Sequence, residues 1–191
     1  MSDIQTRPQA AQLLLGEWSA QLETRTGLKL NLRPAAPEDE SRLVEFFSHV
    51  TPDDLRFRFL SAIPKVGHEL VRDLVEIDHS RTENLLAFTD DGTLVATAMV
   101  AADDSLEKAE VAIAIRSDFK HRGVGWTLLS HAADYAAARG YKRLESIEAG
   151  DNREAIALER EMGFTATRHP DDATLVLLGK TLVSPAPSPK G

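Results

Sequence analysis

Residues 109–126, AEVAIAIRSDFKHRGVGW, run a strand directly into a helix through a basic, glycine-containing turn, and no other stretch of the chain constrains its fold as much. Val111, Ile113 and Ile115 alternate with Glu110, Ala112 and Ala114, the period of a strand with one strongly apolar face. Val124, Leu128, Ala132 and Tyr135 then recur at helical spacing. At such a junction the first N–H groups of the helix have no intrahelical acceptor, and Gly123 and Gly125 leave room for an anionic group to approach them. The turn is a candidate phosphate seat.

Two common phosphate motifs are excluded. No GxxxxGK(S/T) occurs, and Leu128 stands where a dinucleotide fingerprint needs its third glycine. A chain of 191 residues has room for one good core and hence one main domain. The net charge of -8 argues against nucleic acid as a partner and suits a cationic acceptor such as an amine. Cysteine is absent, which removes disulfides, thiolate metal sites and a cysteine nucleophile together, and fits a reducing cytoplasm. The polar start and the short run Leu13-Leu14-Leu15 provide neither a signal segment nor a membrane span, so a cytoplasmic protein without a membrane partner is expected. His49, His68, His79, His121, His131 and His169 show no i, i+4 pair, and no metal is expected.

In chain order, Ala11, Leu14 or Leu15, Trp18 and Leu22 fall on one helical stripe, which predicts an N-terminal helical arm over 1–27 that packs on the domain or on a second copy. Leu28 to Arg33 reads as the first strand, and Pro37 to Glu40 as an acidic helix start. Thr51 opens a second helix carrying Arg56 and Arg58, which could clamp an anionic ligand or serve internal ion pairs. Glu83–Thr89 and Thr93–Ala101 form a hairpin around Asp90-Asp91-Gly92. After the central strand, loop and helix, Lys142–Ala149 is a strand, and Asp151 with Glu154 has capping-box spacing for the last helix. A closing hairpin ends the main domain at 183, and the Pro- and Ser-rich tail, 184–191, is expected to be disordered.

The turn and the last helix together carry a resemblance. Gln/Arg-x-x-Gly-x-Gly after a strand is the acyl-CoA pyrophosphate loop of the GNAT N-acetyltransferase superfamily, which this chain resembles with Lys120 in the first place. Asn152, Ala155, Leu158, Gly163 and Phe164 resemble the superfamily's Asn-x-x-Ala-x-x-Leu-x-x-x-x-Gly-Phe, in the right order and at the right distance from the loop. More closely, the chain is similar to the acetyltransferase domain of Pat-type bacterial protein-lysine acetyltransferases. The shared features are Leu32-Arg33-Pro34 with Asp39, the Arg-Phe segment Arg56 to Phe59, Ile77-Asp78, and Ala109-Glu110 to Ala112. The resemblance implies an α/β (α+β) GNAT fold over 28–183, with a mixed, mostly antiparallel central sheet of six to seven strands flanked by helices. It also implies acetyl-CoA as co-substrate. The chain departs from the pattern at Lys120, at His121 where a glycine is common, and at Glu159 where many members have a tyrosine.

Acetyl transfer to an amine needs a neutral nitrogen, yet a lysine ammonium has a pKa of about 10.4 in water. Glu110 is the candidate base, because the Pat-type resemblance places the base there and the alternation sets it opposite the apolar face. A solvent-facing residue or an ion pair with Lys108 is the structural alternative. A backbone N–H near Ile115, at a splayed strand end, would meet the charge developing on the thioester oxygen. The cofactor-binding set is therefore Ile115, Lys120, His121, Arg122, Gly123, Val124, Gly125, Trp126 and Asn152, the last serving either the cofactor or its helix cap. Glu159 reads as a solvated helix residue, with an acid role conceivable. Transfer should be direct, since no cysteine can hold the acetyl group. The expected function is acetyl-CoA-dependent N-acetyl transfer to a primary amine, a protein lysine or a small amine. The alternatives are a catalytically silent acyl-CoA-binding or sensor module, and an arm that serves to form a homodimer.

Overall fold

A computed structural model describes residues 18–61 and 66–183. Among the described residues the strands are β1 Ala20–Glu23, β2 Lys29–Pro34, β3 Thr82–Phe88, β4 Leu94–Ala102, β5 Lys108–Ile115, β6 Arg143–Ala149, β7 Thr165–Arg168 and β8 Leu175–Thr181. They form one sheet in the order β1-β2-β3-β4-β5-β6-β8-β7. Every neighbouring pair is antiparallel except β5 with β6. The helices are α1 Glu40–Ser48, α2 Pro52–Phe59, α3 His68–Arg72, α4 Val124–Ala138 and α5 Arg153–Glu161. This is the mixed, mostly antiparallel α/β architecture expected, with eight strands rather than six or seven.

The added strand corrects the reading of the N-terminal arm. Residues 1–17 and the tail 184–191 lie outside the described residues. Beyond them, Ala20–Glu23 is extended and pairs with β2, Ala20 opposite Leu32 and Glu23 opposite Lys29. Trp18 and Leu22 are four apart, and that spacing puts two residues on one side of a helix and of a strand alike, so periodicity does not separate the two. The turn decides. Gly27 takes φ +83°, and Thr24 N donates to Leu28 O at 2.8 Å, closing a tight hairpin. Trp18 meets the Tyr135 ring edge-on at 4.7 Å, and Leu22 packs with Leu30 and Leu32 on the domain itself.

Two layers of helix cover the sheet. Leu43, Phe46, Phe47, Val71 and Val75 pack on Leu86 to form one core. Leu128 and Val124 of α4 pack on Leu30, Val95 and Ala98, and farther along Leu129 and Tyr135 pack on Val111, Leu144 and Leu178. The Arg33-Pro34 to Asp39 motif has a physical basis. Arg33 reaches over the turn to hold the Asp39 carboxylate through two bonds of 2.6 and 2.7 Å, so the acid at the helix start faces inward rather than solvent. Asp78 similarly accepts backbone N–H bonds from Ser80 and Arg81, turning the chain into β3.

Candidate active site

The parallel pair β5–β6 is short. Its register runs Lys108–Arg143, Ala109–Leu144 and Glu110–Glu145 and stops there among the described residues. β5 stays paired with β4 as far as Ile115, and β6 with β8 as far as Ala149, so the two strands part beyond Glu110 and leave a V-shaped gap. Arg116 N donates to Val95 O at 2.9 Å. Antiparallel alternation then turns the N–H groups of Ile113 and Ile115 away from β4 and into the gap, as the sequence suggested for Ile115.

The loop that follows β5 reaches the wide end of this gap. His121 takes φ 61° and Gly123 φ 78°, and α4 starts at Val124 with no side-chain cap and no acid in its first turn. The first intrahelical bond runs from Thr127 N to Gly123 O, which leaves the amides of Val124, Gly125 and Trp126 without intrahelical acceptors. Their positive end, flanked by Lys120, His121 and Arg122, suits a diphosphate. The glycines have structural duties too. A Cβ on Gly123 would lie 3.3 Å from Thr24 Cβ, and one on Gly125 3.3 Å from Ile115 Cδ1 and 3.4 Å from Leu158 Cδ1.

The loop side chains are already engaged. Lys120 Nζ sits 2.9 Å from Asp54 Oδ1, so the structure turns its ammonium toward α2 rather than the helix start. The Arg122 guanidinium lies over the Phe119 ring, and its carbonyl accepts a 2.7 Å bond from Thr26 Oγ1. Trp126 is covered by Arg25, 3.4 Å from its ring centre. Arg25 and Thr26 had not been marked in the sequence; the Thr-Gly turn at residues 26–27 was the signal for them.

Glu110, the last paired residue, stands where the gap begins. It lines a cleft of about 400 Å³ with Arg58, Met99, Ala112, Lys108 and Glu145. Burial raises its pKa, Arg58 opposes that, and Glu145 adds to it. Lys108 pairs with Glu145 at 3.6 Å, not with Glu110. Arg58 is partly buried, and burial lowers its pKa to about 10 against the pull of Glu110 and Glu148. Its Nε has no hydrogen-bond partner. Arg56 instead makes an internal ion pair, 2.9 Å to Asp151, which takes Asp151 away from the expected capping box.

Asn152 begins α5 without capping it, and its Nδ2 donates to Glu148 Oε2 at 2.7 Å. Glu159, read from the sequence as solvated, is 5% exposed. The helical pattern carried the signal, since Glu159 stands four residues after Ala155 and three before Met162, on the stripe that includes the inward Leu158. Its carboxyl accepts a hydrogen bond from the Ser146 hydroxyl. Burial and the neighbouring Glu159 push Glu148 up to about 8, and burial raises Glu159 as well.

The model of the acetyltransferase (GNAT) family matches residues 49–164, a span that takes in Arg58, Glu110, the whole loop, Glu148 and Glu159. This chain belongs to the acetyltransferase (GNAT) family. An acetyltransferase of Pseudomonas aeruginosa is 30% identical over 183 residues, 93% of this chain and 97% of that protein. Among solved structures, the GNAT domain of S. lividans PAT superposes with a TM-score of 0.80 at 26% identity, over 87% of this chain and 98% of that one. The spermidine N-acetyltransferase of Vibrio cholerae, solved with CoA and spermine, shares the fold at a TM-score of 0.67 and 16% identity, over 81% of this chain and 96% of that one. As a GNAT protein the chain is an N-acetyltransferase, of a family that uses acetyl-CoA and acts on amines. No helix among the described residues is long and apolar enough to cross a membrane.

Proposed function

We propose that this GNAT enzyme seats acetyl-CoA in the gap between β5 and β6 and passes the acetyl group directly to a primary amine deprotonated by Glu110. The carrying observation is the place of Glu110, the last paired residue before the strands part and a wall of the adjoining cleft. The first amides of α4 hold the diphosphate, with His121 and Arg122 adding positive charge, and the inward N–H groups of Ile113 and Ile115 face the acyl end. Acetyl-CoA supplies the acetyl group as an activated thioester. The base works in its ionised form, and its raised pKa brings it closer to the acidity of the ammonium it must discharge.

Glu110, Glu145 and Asp103 line the cleft together with Arg58 and Lys108, an excess of one acid that suits a cationic acceptor. A protein lysine is the acceptor class we favour, supported by the likeness to the GNAT domain of S. lividans PAT. Replacement of Glu110 by Gln tests the assignment. The expected result is a fall in kcat of about 10²- to 10⁴-fold with acetyl-CoA binding retained, read by free-thiol release and calorimetry. Unchanged turnover would remove Glu110 from the mechanism, and a protein that binds acetyl-CoA but never releases thiol would restore the sensor reading.

A further inference from the structure

We propose that Arg58 reads a carboxylate carried by the amine substrate, so that the preferred substrate holds an acidic group one lysine stem away from the nitrogen it offers to Glu110. This rests on the acetyltransferase reading above and narrows its substrate class. The charges of the cleft lead there. Lys108 and Arg143 both pair with Glu145, at 3.6 and 2.6 Å. Asp103 accepts the Ser105 hydroxyl and the backbone N–H groups of Glu107 and Lys108. Glu110 and Arg58 are left over, since among the described residues neither makes an ion pair with the other or with anything else. One uncompensated anion and one uncompensated cation on the walls of a single cleft complement a molecule that bears both an ammonium and a carboxylate.

The Arg58 guanidinium is held in place and poorly satisfied. Of its five N–H donors, one at Nη2 meets the Met99 sulfur at 3.6 Å, a weak acceptor, and that is its one hydrogen bond among the described residues. Its Nε is buried without a partner, and its plane lies over the Phe59 ring at 5.1 Å. Leaving a guanidinium in this condition is costly, and a carboxylate meets its planar fork with two oxygens at once. The helix that presents it is pinned. Thr51 Oγ1 accepts from Asp54 N at its start, Arg56 holds Asp151 at 2.9 Å, and Asp54 holds Lys120 at 2.9 Å. Arg58 sits in the last turn of that fixed element.

The spacing suits a lysine. Met99, the sulfur partner of Arg58, lies opposite Ala112, and Glu110 stands two residues before Ala112 on the same face of the sheet. Diagonal neighbours of this kind are about 7–8 Å apart. A lysine stem of four carbons and a nitrogen covers a distance of that order, so an amine seated at Glu110 brings its own Cα, and what is attached to it, toward Arg58. The carboxylate then has two sources: an Asp or Glu side chain next to a lysine in a peptide, and the α-carboxylate of an amino acid. A substrate with positive charge alone would meet Arg58 as repulsion.

Matched substrates test the assignment through free-thiol release. One pair is a capped peptide with Glu beside its lysine and the same peptide with Gln, and the other is Nα-acetyllysine and its carboxamide. Wild type should show kcat/KM about 10-fold or more higher for the carboxylate member of at least one pair, and which pair shows it names the source. Arg58→Gln should abolish that preference by slowing the carboxylate member, with the amide member within about two-fold of wild type. Arg58→Lys, which keeps the charge without the planar fork, should retain a preference of about three-fold. Equal rates within both pairs in wild type would overturn the assignment. So would an Arg58→Gln variant that slows both members alike, because that guanidinium would be acting through Glu110 and not on the substrate. Circular dichroism identifies a variant that fails to fold, in which case the wild-type comparison and Arg58→Lys carry the test. A wild type that releases no thiol with any amine, carboxylated or not, would instead overturn the acetyltransferase reading beneath it.

Discussion

Asp39 and Glu159 are both buried carboxyl groups, 1% and 5% exposed, yet their surroundings drive them in opposite directions. Burial alone would raise Asp39, but two bonds from Arg33, one from Arg42 and one from the Ala36 amide hold it below the ordinary carboxylate range. Glu159 has a hydroxyl and a second carboxyl where Asp39 has guanidiniums, and burial raises it. Asp39 is a closed site: its charge is fully compensated, it holds β2 to α1, and it has no proton to give. Glu159 is left without a cation beside it, in a place where charge is expensive, and it resists ionisation for that reason.

That contrast can be broken by experiment. Asp39→Asn should lower the unfolding free energy by about 3 kcal/mol in urea titrations, since it strands two guanidiniums, while kcat per folded molecule stays at the wild-type value. If activity fell and stability held, the division of roles would be wrong. Glu159→Gln should do the reverse to stability, raising it by about 1 kcal/mol at neutral pH as a buried carboxyl that resists ionisation gives way to a neutral amide of the same shape.

The two sites also predict different pH profiles. Asp39 contributes fully above its unfolded value of about 3.9, and that contribution is lost as pH falls through its lower folded value. Glu148, raised in the fold, contributes fully below its unfolded value of about 4.3 and loses that contribution as pH rises toward about 8. Urea midpoints measured from pH 3 to about 9 should therefore slope downward between about pH 4.3 and about 8 in wild type, and that slope should flatten in Glu148→Gln. A smaller effect sits in the loop. His121 holds a left-handed φ of 61°, so His121→Gly should add about 0.5–1 kcal/mol in the same titration.

The strand–loop–helix unit was legible in the sequence because alternation, two glycines and a helical stripe pointed to one local geometry. The parting of β5 from β6 at Glu110 is set by long-range pairing, which no local pattern displays. Glu110 could be proposed as the base because the family resemblance marked it, whereas no motif marked the buried carboxyls Glu148 and Glu159. Glu148 and Glu159 are eleven residues apart on different elements; the Ala155, Leu158 and Met162 stripe separates Glu159 from the outward Glu154 and Glu161, but its approach to Glu148 is set by the packing of α5 on β6. Lys120 was assigned to phosphate by its place in the loop motif, and the ion pair of its ammonium with Asp54, from a helix far earlier in the chain, lay beyond any local pattern.

The hairpin joining β1 to β2 carries a practical lesson for anyone redesigning this chain. Thr24 lies against Gly123, Arg25 caps the indole of Trp126, and Thr26 is tied to the Arg122 carbonyl. Residues 24–26 thus brace the loop and the first turn of α4 and cannot serve as a spacer. Fusion partners and surface anchors should be joined away from this segment, because strain applied there would reach the open amides of α4 long before the protein unfolded.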